Sequence, residues 1–152
     1  DDARVRLALD ALYAVTQANW QLEKDAALTL RMLESAGYRL GLVSNAGDDK
    51  DVKTLARRFR IEGFFDFILT SAACSYRKPH PRIFELALAH WGFPSAEAAM
   101  VGDTPEADIL GAQQSGIYSI LVAPDSTAPA SIRPDSVVRR LLDLPELLNR
   151  LT

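Results

Sequence analysis

Three short polar stretches hold the side chains best suited to chemistry. Ser44-Asn45 closes one apolar run, and Gly102-Asp103-Thr104 closes another, with Asp108 five residues past Asp103. Between them lies Tyr76-Arg77-Lys78-Pro79-His80-Pro81. A hydroxyl, an amide, an ammonium and carboxylates form a set that suits a phosphoryl group and a hard divalent cation. Ser44 Oγ and nearby backbone N–H groups can donate to phosphoryl oxygens. Lys78 offers a compact positive charge for a phosphate and for an anionic nucleophile beside it. Asp103 is a hard oxygen ligand, and magnesium usually takes one or two carboxylates with substrate phosphate and water. Phosphoryl transfer needs mainly positioning and charge neutralisation, which such residues can supply.

Each residue also has a plainer role open to it. A serine after a strand is commonly a turn former, an Arg-Lys pair a solvated loop, and Gly-Asp-Thr a tight turn with a helix cap. His80, between two prolines at a helix start, reads as structural, and His90, at a helix end, as surface or core. Cys74 has no histidine or helix start obviously placed to activate it and fits a small buried residue. The weight rests on the order of the three features, each tied to the end of an expected strand.

Those strands and their helices follow from hydrophobic spacing. Residues 3–17 carry Val5, Leu9, Leu12 and Val15 near helical spacing. After a connector at 19–24, a second helix places Ala26, Leu30 and Leu33 on one face and stops at Gly37. The run 38–44 predicts a strand, 49–59 a helix with Val52, Leu55 and Phe59, and 64–69 a second strand. Pro81 opens a helix that turns Ile83, Leu86 and Ala87 inward and ends near Trp91-Gly92. A strand at 98–101, a helix at 105–115 stopping at Gly116 and a strand at 118–122 follow. A Pro/Ser-rich loop at 124–134, a short strand at 136–139 and a helix from Pro145 with Leu147, Leu148 and Leu151 complete the chain. Strands alternating with single helices predict an α/β fold, a Rossmann-like parallel sheet covered on both faces. In such a sheet ligands bind beyond the carboxyl ends of the strands.

A length of 152 residues, with 48% hydrophobic and 24% charged, suits one globular domain with a sizeable core. With 17 basic against 20 acidic residues, the net charge of −3 gives no electrostatic reason to expect nucleic acid or an anionic membrane as partner. The single cysteine cannot form an internal disulfide, which fits a reducing cytoplasm. No apolar run is long enough to span a bilayer, and no signal peptide opens the sequence at Asp1. No heptad or long apolar stripe marks an oligomer interface, so the oligomeric state is not legible at this stage.

Motif by motif, the chain resembles the hydrolase core of haloacid dehalogenase (HAD) superfamily phosphatases. Leu42-Val43-Ser44-Asn45 looks like the family's second motif, and Arg77-Lys78-Pro79-His80-Pro81-Arg82-Ile83-Phe84 is similar to the third. The stretch from Met100 to Ala112, with Gly102-Asp103, four residues and Asp108, looks like the fourth. The resemblance implies that Ser44 binds the phosphoryl group, with Asn45 beside it, and that Lys78 holds nucleophile and phosphate together. It implies that Asp103 ligates Mg2+, with Asp108 supporting that site or its loop. Residues 1–19 would be the last helix of a helical cap and its linker, and 20–152 the hydrolase core.

The first motif of the family, a strand ending in Asp-x-Asp whose first carboxylate attacks phosphorus and whose second is a general acid/base, has no counterpart after an apolar run. Asp49-Lys50-Asp51 has the spacing but begins a polar helix, so it is rejected as the nucleophile. In the family that strand lies mid-sheet, between the strands bearing Ser44 and Asp103. Its absence would leave two strand edges without partners. The expectation is therefore an upstream segment of roughly a cap and one strand that carries the nucleophile. With it, the reading is a magnesium-dependent phosphatase acting on a small phosphorylated metabolite through an aspartyl-phosphate. The alternatives are a metal-free 2-haloacid dehalogenase, whose relatives carry a neutral Ser-Asn pair where this chain has Gly102-Asp103, and an inactive module that binds a partner or phosphorylated ligand.

Overall fold

Short apolar runs alternating with amphipathic helices fold into parallel strands covered by helices, as the spacing predicts. The computed structural model describes residues 2–124 and 131–151. Asp1 and most of the expected loop at 124–134 (residues 125–130) lie outside the described residues, as does the Val15 side chain.

The strands form two sheets, and the gap falls between the strands bearing Ser44 and Asp103, where the sequence lacks the mid-sheet strand. Strand β1 (Gly41–Ser44) pairs in parallel with β2 (Phe67–Thr70), in a register that sets Ser44 beside Thr70. Strands β3 (Ala99–Gly102), β4 (Tyr118–Val122) and β5 (Ser136–Val138) make a second parallel sheet in the order β3-β4-β5. Among the described residues β1 and β3 therefore each have one strand neighbour, and their backbones do not pair with each other.

Helices join what the strands do not. Helix α5 (Pro81–Ala89) buries Ile83, Phe84 and Ala87, whereas Leu86, expected on that face, is only half-buried. Ile83 and Phe84 form a core cluster with Ala112 and Ile117. Val43 of β1, Leu69 of β2 and Met100 of β3 pack against that one cluster, so both sheets share one apolar joint. Gly111 of α6 (Leu110–Gln114) permits the approach, because a Cβ there would sit 2.6 Å from the Phe84 ring. On the second sheet, Ile120 and Val138 bury against Leu144 of α7 (Leu144–Asn149).

Boundaries moved where local geometry overrode the apolar pattern. Strand β1 begins at Gly41 because the residues before it complete the exit from α2 (Ala26–Ser35): Gly37 has φ 86° and Tyr38 N–H donates to Leu33 O. A 3₁₀ turn at Glu62–Phe64 takes the expected start of β2. A short helix α4 (Ser71–Cys74), unforeseen, follows β2 directly, capped by Thr70 Oγ1. The expected helix at 105–115 divides into a π-helical turn at Pro105–Ile109 and α6.

Helix α1 (Asp2–Asn19) forms, but its apolar residues are not buried as the spacing suggested: Val5 is 58% and Leu12 57% exposed. Its polar side meets α3 (Asp49–Arg58). Arg6 pairs with Asp48 at 2.8 Å, Lys50 reaches Asp10 at 3.1 Å, and Gln17 donates to Asp51. The Arg6 guanidinium holds the Asp48 carboxyl below the usual carboxylate range. No helix among the described residues is long and apolar enough to cross a membrane.

Phe84→Ala should cost about 3–5 kcal/mol, since it empties the joint between the sheets, and urea unfolding measures it. Asp135 Oδ2 accepts from Ser119 N at 2.8 Å and Ser119 Oγ at 2.6 Å, and these bonds hold its pKa below the ordinary value. A depressed folded-state pKa contributes stability above the unfolded value of about 3.9 that is lost as pH falls through the folded one. Asp135→Asn should therefore flatten the stability–pH curve below about pH 4, as read by denaturation at stepped pH.

Candidate functional site

Parallel pairing puts the carboxyl ends of the strands of each sheet on one edge, and the chemically capable residues gather there. Ser44 ends β1, Thr70 ends β2, and Asp103 follows β3. The two edges are brought together by a single side chain. Lys78 Nζ donates to Val43 O of β1 at 2.8 Å and meets Asp108 Oδ1, in the turn after β3, at 2.7 Å.

The loop carrying Lys78 is set from both sides. Ser75, with φ 64°, turns the chain out of α4. His80 Nδ1 accepts from Arg82 N at 3.1 Å and so caps α5, with Pro81 in the first turn, which confirms a structural role for this histidine. Asn45 then clips the lysine backbone: its Oδ1 accepts from Lys78 N at 2.8 Å and its Nδ2 donates to Lys78 O at 2.9 Å. Asn45 was expected beside the phosphate. Its side-chain amide holds the Lys78 backbone.

The Lys78–Asp108 pair is buried, with side chains 10% and 5% exposed. Asp108 Oδ2 accepts from Thr104 N at 3.1 Å, while Oδ1 has the ammonium as its ionic partner without an aligned hydrogen bond. Only glycine fits at position 102, because a Cβ there would lie 2.2 Å from Asp108 Oδ2. The π-helical turn carries Asp108 inward while its backbone N–H bonds Thr104 O at 2.8 Å. An ammonium has three donors, and the one aligned bond here goes to Val43 O, so donor capacity remains beside Asp108 for a ligand.

Asp103 and Asp108 thus divide the work expected of an acidic pair. Asp103 is exposed, its one hydrogen bond among the described residues is a long 3.4 Å one from Thr104 Oγ1, and its oxygens are open to a ligand. Asp108 is buried as the counter-charge of Lys78. Among the described residues no group of three or more His, Cys, Asp or Glu could cage a metal ion. One exposed carboxylate with a second nearby fits a cation that keeps water and phosphate in its shell, as magnesium does. Ser44 is half-buried, and its hydroxyl has no hydrogen-bond partner among the described residues.

Other candidates fall outside. Arg77 is exposed. The His90 ring stacks on Phe67 at 4.3 Å, at the amino end of β2 and away from the site. Cys74 is half-buried, its Sγ 3.4 Å from Tyr76 O. Asp49 bonds Lys53 at 2.6 Å and Thr70 at 2.8 Å, contacts that lower its pKa and leave it in structural service. Two residues escaped sequence reasoning. Thr70 ends β2 and Ser71 follows it; both are buried, Thr70 bonding Asp49 at the start of α3 and Ser71 bonding Ala46 in the loop after β1. The signal was there: a second polar pair closing an apolar run.

Comparison with known proteins converges on one description. The family of haloacid dehalogenase-like hydrolases matches residues 8–122. The mouse haloacid dehalogenase-like hydrolase domain-containing protein 3 is 37% identical over 128 residues, covering 84% of this chain and 49% of that protein. A glyceraldehyde 3-phosphate phosphatase from Methanothermobacter thermautotrophicus is 42% identical over 99 residues, 65% of this chain and 43% of the relative. The chain thus spans about half the length of the curated relatives it matches. The structure of a 2-haloacid dehalogenase from Pseudomonas syringae superposes with TM-score 0.83 at 29% identity, covering 100% of this chain and 65% of that one. A HAD phosphatase from Thermococcus onnurineus superposes with TM-score 0.77 at 27% identity, covering 84% and 58%.

Asp108→Asn should destabilise by about 3–5 kcal/mol, because it leaves the Lys78 ammonium buried without a counter-charge. Replacing both partners, Lys78→Met with Asp108→Leu, should recover most of that loss. Urea midpoints of the wild type, both single variants and the double variant make the comparison.

Proposed function

The chain belongs to the haloacid dehalogenase-like hydrolases, and from that premise we propose that it is the core of a magnesium-dependent phosphatase for a small phosphorylated metabolite. The observation that carries the reading is an exposed Asp103 on the same edge as a buried Lys78 whose ammonium is anchored by Val43 O and Asp108. Phosphatase relatives support it, among them glyceraldehyde 3-phosphate phosphatases from Methanothermobacter thermautotrophicus and Pyrococcus abyssi.

In this reading Asp103 holds Mg2+ with Asp108 behind it, and the bound ion would supply positive charge against the phosphoryl oxygens. Ser44 Oγ donates to one of those oxygens. Lys78 directs an N–H to the phosphate while Val43 O and Asp108 hold the ammonium in place. The nucleophile is an aspartate on a further strand, from an upstream segment, that lies between β1 and β3. The unmatched edges of those strands support that placement. The carboxylate oxygen forms a bond to phosphorus, the alcohol leaves with a proton from a neighbouring acid, and water then hydrolyses the aspartyl-phosphate. Residues 1–19, with helix α1, end a cap that covers the site. The free thiol of Cys74 fits a reducing compartment, and we take the cytoplasm as the place of action.

The likeness to the Pseudomonas syringae 2-haloacid dehalogenase favours a second reading on the same scaffold. An exposed carboxylate at position 103 argues for a metal and a phosphate over that metal-free chemistry. A binding module without catalysis would still use Ser44 and Lys78.

Titration of the chain with Mg2+ and inorganic phosphate tests the site. Asp103→Asn should weaken Mg2+ binding at least about tenfold with the circular dichroism spectrum unchanged, the loss of one charged ligand being worth about 1.4 kcal/mol or more. Ser44→Ala should weaken phosphate binding alone. Equal metal affinity in Asp103→Asn would remove that residue from the metal site. Hydrolysis of a 2-haloacid without metal by a longer chain carrying the Asp-x-Asp strand would favour the dehalogenase.

A further inference from the structure

A phosphate site at the end of β1 depends on where the backbone goes after Ser44. The next residues, Asn45-Ala46-Gly47, have little side-chain bulk to hold them. The stretch from here to the start of α3 is nevertheless held at three points, Asn45, Ala46 and Asp49. Asn45 grips both main-chain polar groups of Lys78. Asp49 accepts from Thr70 Oγ1 at 2.8 Å. Between them, Ser71 Oγ donates to Ala46 O at 2.9 Å and accepts from Ala46 N at 3.0 Å.

One hydroxyl thus satisfies both polar groups of a single loop residue, with the serine only 6% exposed. Such reciprocity fixes the two peptide planes that flank Ala46, because each bond restrains one of them. The peptide plane between Asn45 and Ala46 also carries the Asn45 carbonyl, so Ser71 bears on the residue that holds Lys78. Thr70, next to it and 0% exposed, is registered beside Ser44 across the β1–β2 ladder. The end of β2 therefore forms a buried footing for the end of β1.

Resting on the phosphate reading above, we propose that Ser71 is a positioning residue of the site, a two-way clip that sets the Ser44–Ala46 loop for phosphate without touching it. It acts through Ala46 on Ser44 and, through Asn45, on Lys78. A small apolar side chain at position 71 would leave both polar groups of Ala46 to reorient, and the Ser44 hydroxyl would lose its fixed origin. Threonine would keep the hydroxyl.

The test compares the unaltered chain with Ser71→Ala and Ser71→Thr in titrations with inorganic phosphate and, separately, Mg2+, alongside amide hydrogen exchange. Ser71→Ala should weaken phosphate binding about tenfold, the loss of two hydrogen bonds. Mg2+ affinity and exchange in β4 should hold while Ala46 exchanges faster, and Ser71→Thr should restore binding. Phosphate affinity within about twofold of the unaltered chain in Ser71→Ala, or unchanged Ala46 exchange, would overturn the proposal. Were Ser71→Ala unfolded by circular dichroism, Ser71→Cys, which keeps the volume and weakens both bonds, takes its place under the same criteria. No phosphate binding by the unaltered chain would instead overturn the phosphate reading, and the positioning role with it, a result distinct from unaltered binding in the variant.

Discussion

The arrangement of this molecule turns on one ammonium group. Lys78 Nζ stands between a main-chain carbonyl of β1 and the carboxylate that follows β3, and those strands have no ladder between them. At 10% and 5% exposure, neither charge is solvated enough to be stable alone, so each requires the other in place. A buried pair of this kind contributes little net stability against an apolar alternative, but removing one member is costly. Its value lies in specificity. It locks the carboxyl edges of two sheets into one relation, and that edge is where ligands of parallel sheets bind.

Around this polar contact the apolar core makes a matching joint. Phe84 and Ile83 of α5 receive side chains from β1, β2 and β3 in one cluster, so the helix that begins just after Lys78 also cements the sheets it bridges. Placement of the lysine and packing of the helix are thereby coupled. The His80 cap and Pro81 set where α5 starts, Asn45 sets the lysine backbone, and Gly102 leaves the room that Asp108 fills. The exposed Asp103 needs none of this support, which suits a ligand that has to remain accessible to solvent and substrate.

Much of the site was legible because its chemistry is carried by unusual residues at strand ends. Ser44, Lys78 and Asp103 all lie near the edge where the alternating pattern put them. The division of labour was not legible. Asp103 and Asp108 look alike as letters, and only burial separates a free carboxylate from a counter-charge. Nor was it legible that both ends of the Asn45 amide hold the Lys78 backbone. Thr70 and Ser71 drew no notice in the sequence, because their worth comes from partners 21 and 25 positions away.

Local pattern determined the element types and most of their order: parallel α/β alternation, the left-handed stop at Gly37, the Pro81 helix start, and β4 over Tyr118–Val122. These follow from hydrophobic period, capping and backbone allowance, which act over a few residues. Where tertiary contacts compete with period, the pattern failed. Helix α1 meets α3 through ion pairs and leaves Val5 and Leu12 in solvent. The burial of Lys78 with Asp108 and the Ser71 clip were decided only by the fold. Each depends on groups far apart in the chain meeting at hydrogen-bond distance, and on how much water is excluded when they do.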